Sequence, residues 1–144
     1  MRPIISLDNG TIINSLAGYL GGLGKLSIDN GTDLDSVAKL INGSRKSIIT
    51  VYIKAHNSYT IDGIAVGRYE LFFAHGRDWD SSTNSFLLSR SFSKFEDSFD
   101  FTVHDEYRSD GTYQVYSTYS VTLHPVVGGE AKTDTVSEGE FFSL

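Results

Sequence analysis

Ser47–Lys54 reads S-I-I-T-V-Y-I-K, Thr60–Gly76 reads T-I-D-G-I-A-V-G-R-Y-E-L-F-F-A-H-G, and R-D-W-D follows at Arg77–Asp80. In the first segment Ile49, Val51 and Ile53 alternate with Thr50, Tyr52 and Lys54. A strand turns successive side chains to opposite faces, so this period of two separates the aliphatic set from the other. The β-branched and aromatic content suits a pleated, half-buried surface. In the second segment Asp62-Gly63 reads as a turn, and Gly67 closes another. Beyond it Tyr69, Leu71 and Phe73 share one face, expected inside. Arg68, Glu70 and Phe72 share the other, with the charged pair left in water. Gly76 ends that strand. These phases define an all-β domain.

Toward the N-terminus, Val37, Lys39 and Ile41 alternate with Ala38 and Leu40. Leu34, Val37, Ala38 and Ile41 also fit a helical stripe. A strand is preferred because Asn42-Gly43-Ser44-Arg45-Lys46 then makes a hairpin connection to Ser47. Asp29–Thr32 predicts a turn, and Lys25–Ile28 opens the compact domain, which spans residues 25–144. Residues 1–24 read differently. Thr11-Ile12-Ile13 can form a short strand, and Ala17–Gly24 is rich in glycine, which loses much conformational entropy in any regular element. This is expected to be an N-terminal arm, partly mobile or laid along another surface. It lacks the strand–loop–helix context and the Lys-Ser or Lys-Thr pair of a phosphate-cradling loop, so it reads as a linker.

Toward the C-terminus, Ser81–Asn84 is a polar loop. Ser85–Phe95 is a strand whose phase changes midway, predicting a bend or bulge. Phe99, Phe101 and Val103 alternate inward. Asp110-Gly111 is a hairpin turn. Thr112–His124 reads as one long strand with Tyr113, Val115, Ser117, Tyr119, Val121 and Leu123 on a common face. Thr133–Val136 can add an edge strand. About seven to nine strands with frequent turns and no long helical pattern predict an antiparallel β-sandwich. Its expected core is Ile49, Val51, Ile53, Leu71, Phe73, Phe101, Val121 and Leu123.

Composition excludes several functions. A chain of 144 residues suits one domain with a sizeable core. The net charge of −6 and the scattering of twelve Lys and Arg argue against nucleic acid, which needs a basic patch. No cysteine is present, so disulfides, thiolate metal sites and a cysteine nucleophile are excluded. No apolar run is long enough to span a bilayer. Met1–Ser6 has no continuous apolar core and does not read as a signal peptide. The compartment stays unknown; a removed signal would place the domain at the cell envelope or outside the cell.

Arg77, Asp78, Trp79 and Asp80 form the most suggestive local cluster. Two carboxylates beside hydroxyls offer oxygen ligands to Ca²⁺, but the glycine and closing glutamate of an EF-hand loop are missing. Asp29, Asp33 and Asp35 meet the same objection, so no metal site and no cofactor are expected. Trp79 beside carboxylates also suits a sugar platform. The competing structural reading has Arg77 pairing with a carboxylate, Asp80 capping a turn and Trp79 packed under the loop. Glycoside hydrolysis needs two carboxylates across a cleft, and Glu96-Asp97, Asp105-Glu106 and Asp78/Asp80 are the candidates. His56, His75, His104 and His124 have no metal-ligand spacing, and no G-x-S-x-G elbow is present.

Three stretches carry a resemblance. They are the run from Gly22 to Leu40 (G-L-G-K-L-S-I-D-N-G-T-D-L-D-S-V-A-K-L), the run from Val51 to Asp80, and S-F-S-K-F-E-D-S-F-D-F-T at Ser91–Thr102. Together they look like a group of uncharacterised bacterial all-β domains, over roughly residues 22–127. That resemblance implies an accessory module on a longer chain and brings no activity. Ile61–Leu71, I-x-G-I-x-x-G-x-Y-x-L, is also similar to carboxypeptidase-regulatory and transthyretin-like sandwiches, where the element is a structural strand–turn–strand.

The leading expectation is a non-catalytic interaction or assembly module. The partner would be another protein or a second copy, engaged through residues 1–24 by strand exchange. One alternative is a carbohydrate-binding module using Trp79 and the adjacent acids. Another is a small hydrolase.

Overall fold

The structure is a computed structural model that describes residues 4–15, 22–95, 98–123, 133–135, 137, 139 and 141. These residues form β1 (Ile12–Ser15), β2 (Gly24–Asn30), β3 (Asp35–Ile41), β4 (Ser47–Ile53), β5 (Ser58–Ile64) and β6 (Gly67–Asp80). They continue as β7 (Ser85–Phe95), β8 (Phe99–Phe101), β9 (Val103–Arg108), β10 (Gly111–Tyr116), β11 (Thr118–Leu123) and β12 (Thr133–Thr135). The fold is all-β, as the alternation requires. Among the described residues no helix is long and apolar enough to cross a membrane.

A large sheet runs β1-β4-β3-β6-β7-β12, with β8 pairing the start of β6. A small sheet runs β11-β2-β5. The main core lies between them. It joins Leu40, Ile49, Val51, Ile53, Tyr69, Leu71 and Phe73 of the large sheet to Leu26, Ile28, Ile61, Ile64 and Leu123 of the small one. Phe99 and Phe101 close one side against Tyr119. The pairs are antiparallel except β11 with β2, which are parallel.

The alternation in β4 does not reveal that its second face is covered too: Tyr52 and Thr50, opposite the aliphatic set, are both buried. A second cluster covers the outer face of the large sheet: Val37, Ile41, Tyr52, Phe72, Ala74, Trp79, Phe86 and Phe141, with Leu7, Ile13 and Phe92 at its margin. Residues 4–15 supply part of the cover, with β1 on the edge of β4. Phe141 supplies more, and Lys39 donates from Nζ to its carbonyl at 2.8 Å. Both faces of β4 and β6 are therefore buried. Leu7, Ile13 and Phe141 lie far from these strands in sequence, and no local period reveals that they return.

Asp62-Gly63 is not a turn. Both lie inside β5, where an extra residue interrupts the pairing with β2 and Gly63 takes φ 74°. A positive-φ glycine in a strand makes a bulge as readily as a turn. The chain reverses instead at Ala65–Val66. The phase change in β7 is a bulge as read: two residues, Ser89 and Arg90, oppose Gly76 alone, and Ser89 has φ 54°. Gly76 is required there, because a Cβ would meet the Phe86 side chain at 2.5 Å.

The long strand expected over Thr112–His124 is broken at Ser117. Its second half, β11, packs Tyr119, Val121 and Leu123 against the core. Its first half, β10, leaves the sandwich and, among the described residues, pairs only with β9. His124, Glu96 and Asp97 lie outside the described residues, as does Leu16–Gly21 of the expected arm. The described part of that arm forms an ordinary edge strand on its own sheet.

Candidate functional site

The cluster nominated by sequence, Arg77–Asp80, does not converge. Asp78 is 7% exposed, at φ 61°. Its carboxylate accepts a hydrogen bond from the Ile5 amide at 3.1 Å, and the Trp79 amide donates to the Ile5 carbonyl at 3.0 Å. These bonds fasten residues 4–8 across the end of β6. Trp79 is 3% exposed and packs edge-on against Tyr52 and Phe86, with ring centroids 5.5 and 5.0 Å apart. It presents no open face for a sugar. Asp80 accepts from the Ser82 amide at 3.0 Å, the Ser82 hydroxyl at 2.7 Å and the Thr83 hydroxyl at 3.0 Å, capping the Ser81–Asn84 turn. Arg77 is exposed on the opposite phase.

The second acidic loop is dispersed as well. Asp33 pairs with His56 at 2.6 Å, and Asp29 is exposed elsewhere on β2. Asp35 accepts from the Ser6 hydroxyl at 2.6 Å, from the Ala55 amide at 2.9 Å and from the Tyr52 hydroxyl. Burial pushes the Asp35 carboxyl up, but these three donors outweigh it and hold it below the usual range. Burial and the Asp35 bond together push the Tyr52 phenol up. Among the described residues no group of three His, Asp or Glu could hold a metal ion.

One small cleft opens beside the tip of β6 and β7. Val37, His75, Trp79, Phe86, Phe92 and Phe141 form most of its wall, and its volume of about 10 Å³ holds roughly one water. His75 is buried, its Nε2 has no hydrogen-bond partner among the described residues, and burial pushes its imidazole down to about 4.

A different kind of surface is built by β9 and β10. They pair in register from Gly111 opposite Arg108 to Tyr116 opposite Val103. Every residue is exposed except Val103 and Val115, which are half-buried. Six residues at about 3.4 Å each make a ribbon some 20 Å long, wet on both faces. Below it the two strands part company. Thr102 and Ser117 form the junction, with the Ser117 amide donating to the Thr102 carbonyl at 3.1 Å and the Thr102 amide donating to Ser117 Oγ at 3.0 Å. Before the junction β8 joins the large sheet; after it β11 joins the small one. The ribbon is thus rooted in both layers of the sandwich.

Cross-strand pairing assigns its faces. One carries His104, Glu106 and Arg108 with Tyr113 and Val115; the other carries Val103, Asp105 and Tyr107 with Thr112, Gln114 and Tyr116. On the first face Arg108 lies 4.5 Å over the Tyr113 ring and 3.2 Å from Glu106, and the Tyr113 hydroxyl donates to Asp110 at 2.7 Å. On the second, Tyr107 is 80% exposed, the most of any large hydrophobic residue described. Asp105 and Glu106 point to opposite faces, so they do not form a catalytic pair.

Sequence reading placed the Asp110-Gly111 turn and missed the ribbon. One signal was available: the inward set Phe99, Phe101, Val103 gives way at His104 to H-D-E-Y-R, with three charged residues in five. The partner of such a strand cannot be buried on both sides either.

Comparison with protein-family models, with curated proteins and with solved structures found no match for this chain.

Proposed function

We propose that this domain is a non-catalytic interaction or assembly module and that the β9–β10 ribbon is its contact element. The observation that carries the reading is a two-stranded ribbon exposed on both faces with three tyrosines outward. An isolated two-stranded hairpin is marginal in water and needs a third strand or a packing surface. Tyrosine gives large contact area at little entropic cost and is enriched where proteins meet. Rooting the ribbon in both sheets fixes its direction, so a partner meets a pre-aimed element. This suits the accessory role that the sequence resemblance implies.

Self-association through residues 1–24 is the weaker route, because β1 already pairs with β4 of its own chain. The carbohydrate reading rested on Trp79, whose ring has no open face; binding on a glycan array would revive it. The hydrolase reading has no convergent acid pair among the described residues in its favour.

The test replaces residues 104–115 with a short turn from Val103 to Tyr116. We expect the melting temperature of the sandwich to hold within a few degrees and self-association, or capture of a protein partner, to disappear. Association that survives the deletion overturns the reading.

A further inference from the structure

Resting on that reading, we infer that the ribbon's partner is a second copy of this chain, joined by antiparallel pairing of β10 with β10 across a two-fold axis. The two outer edges of the ribbon differ in chemistry. β9 is V-H-D-E-Y-R and β10 is G-T-Y-Q-V-Y. Natural proteins blunt exposed edges with charge, and β9 is blunted in this way. β10 carries no charge and no proline, and after Gly111 it holds two tyrosines, a valine and a threonine in five residues, all strand formers. Among the described residues β10 pairs with β9 on one side and with no strand on the other. It is the unprotected edge.

Symmetry sharpens the choice. A two-fold axis through an antiparallel strand pair sets one residue opposite its own copy. On β9 the central choices are Asp105 or Glu106, and each sets carboxylate against carboxylate, which is unfavourable for directly opposed residues. On β10 the axis through Gln114 pairs amide with amide. Tyr113 then faces Val115 of the second copy, and Thr112 faces Tyr116 of the second copy. Both are aromatic with β-branched, a favourable cross-strand combination. Every residue from Thr112 to Tyr116 is paired in that register. Because Tyr107 already lies opposite Thr112, the new row runs Tyr107, Thr112, Tyr116 of the second copy. The product is a four-stranded sheet, β9-β10-β10-β9, whose charged strands lie outermost and cap further growth. The contact is isologous and closes as a dimer.

The chain has no cysteine, which makes the register directly readable. Directly opposed Cα atoms in an antiparallel pair lie about 4.5–5.5 Å apart, within disulfide range. Oxidised Gln114→Cys should run as a covalent dimer, whereas Glu106→Cys should stay monomeric. In sedimentation, Gln114→Lys and Gln114→Glu should each weaken the wild-type dimer by roughly tenfold or more, through like charges opposed at the axis. An equimolar mixture of the two should restore it. Gln114 is exposed, so unchanged melting curves verify that both variants fold. A wild-type chain that is monomeric at the highest concentration reached overturns the inference. So does a dimer indifferent to both charges with no disulfide at position 114. Loss of association on ribbon deletion alongside indifference to the Gln114 variants would reject β10 pairing and leave the broader contact role standing.

Discussion

The chain contains two hairpin ends of similar composition and opposite fate. The tip of β6–β7 holds Trp79, Phe86, Asp78 and Asp80; β9–β10 holds Tyr107, Tyr113, Tyr116, Asp105 and Glu106. By residue type alone the first is the better site, because a tryptophan beside two carboxylates suits ligand binding. In the fold its rings lie in the second cluster and its acids are spent on the Ile5 amide and the Ser81–Asn84 turn. The second has no cover. What separates them is the return of distant chain: residues 4–8 and Phe141 come back over β6–β7, and no described segment comes back over β9–β10. An aromatic next to an acid becomes a surface or a core according to what covers it.

The largest test of that contrast is truncation of the buried ring. Trp79→Ala should cost about 3–5 kcal/mol, the range for removing a large aromatic from a packed cluster. Urea unfolding followed by circular dichroism measures it. A loss below about 1 kcal/mol would mean that the outer cluster is not a true core.

The next effect is a pH dependence at the root of the same hairpin. His75 is held neutral in the fold, with its imidazole pushed down to about 4, against roughly 6.5 in the unfolded chain. Between those values the unfolded state binds the proton and the native state does not. Stability is therefore complete above about pH 6.5 and falls as pH drops toward 4, by at most about 3 kcal/mol. His75→Phe should flatten the profile in that window. Asp35, also held low in the fold, acts with the same sign further down the scale: its contribution is complete above the unfolded carboxyl value and is lost as pH falls through its own. The two windows adjoin, so the residual slope in His75→Phe should lie at the acid end.

A smaller effect is expected at the fastening of the N-terminal segment. Asp78→Ala removes the acceptor of the Ile5 amide and places alanine at φ 61°, where aspartate and asparagine are better tolerated. About 2 kcal/mol is expected. Asp78→Asn keeps an acceptor oxygen and the backbone preference, so most of that loss should be recovered. Hydrogen exchange at Ile5 separates the causes: it should quicken in the alanine variant and stay slow in the asparagine one.

How far these regions were legible follows from the range of the signals. Strand phases are local, and the inward sets of β4, β6 and the core half of β11 hold in the structure: Ile49, Val51, Ile53, Leu71, Phe73 and Leu123 are buried together. Tyr52 and Phe72 are set opposite the inward sets with no sign that they are buried as well, because period two says only that the faces differ. Which face is wet depends on Leu7, Ile13 and Phe141, brought in from the ends of the chain. Asp62-Gly63 shows a second limit, since a positive-φ glycine serves bulge and turn alike. The break at Ser117 shows a third. Tyr113, Val115, Ser117, Tyr119 and Val121 keep one alternation throughout, and pairing partners alone decide that β10 leaves the core while β11 stays.

The smallest expected effect on stability is the most informative about the ribbon. Tyr107→Ala and Tyr116→Ala remove aromatic rings as large in kind as those of the inner clusters, yet both side chains are exposed. Nothing described packs across the ribbon's faces, so the melting temperature should not move. Amide exchange in Val103–Arg108 and Gly111–Tyr116 should be far faster than in β3 or β4, because opening a ribbon that buries little apolar surface requires only a fraction of the global unfolding free energy. That fast exchange should slow as protein concentration rises, since pairing with another strand protects the edge amides that a lone ribbon leaves to water. The comparison breaks if the exchange is slow and concentration-independent. The ribbon would then be stabilised within its own chain, and its tyrosines would belong with Trp79 as structure rather than as a surface awaiting a partner.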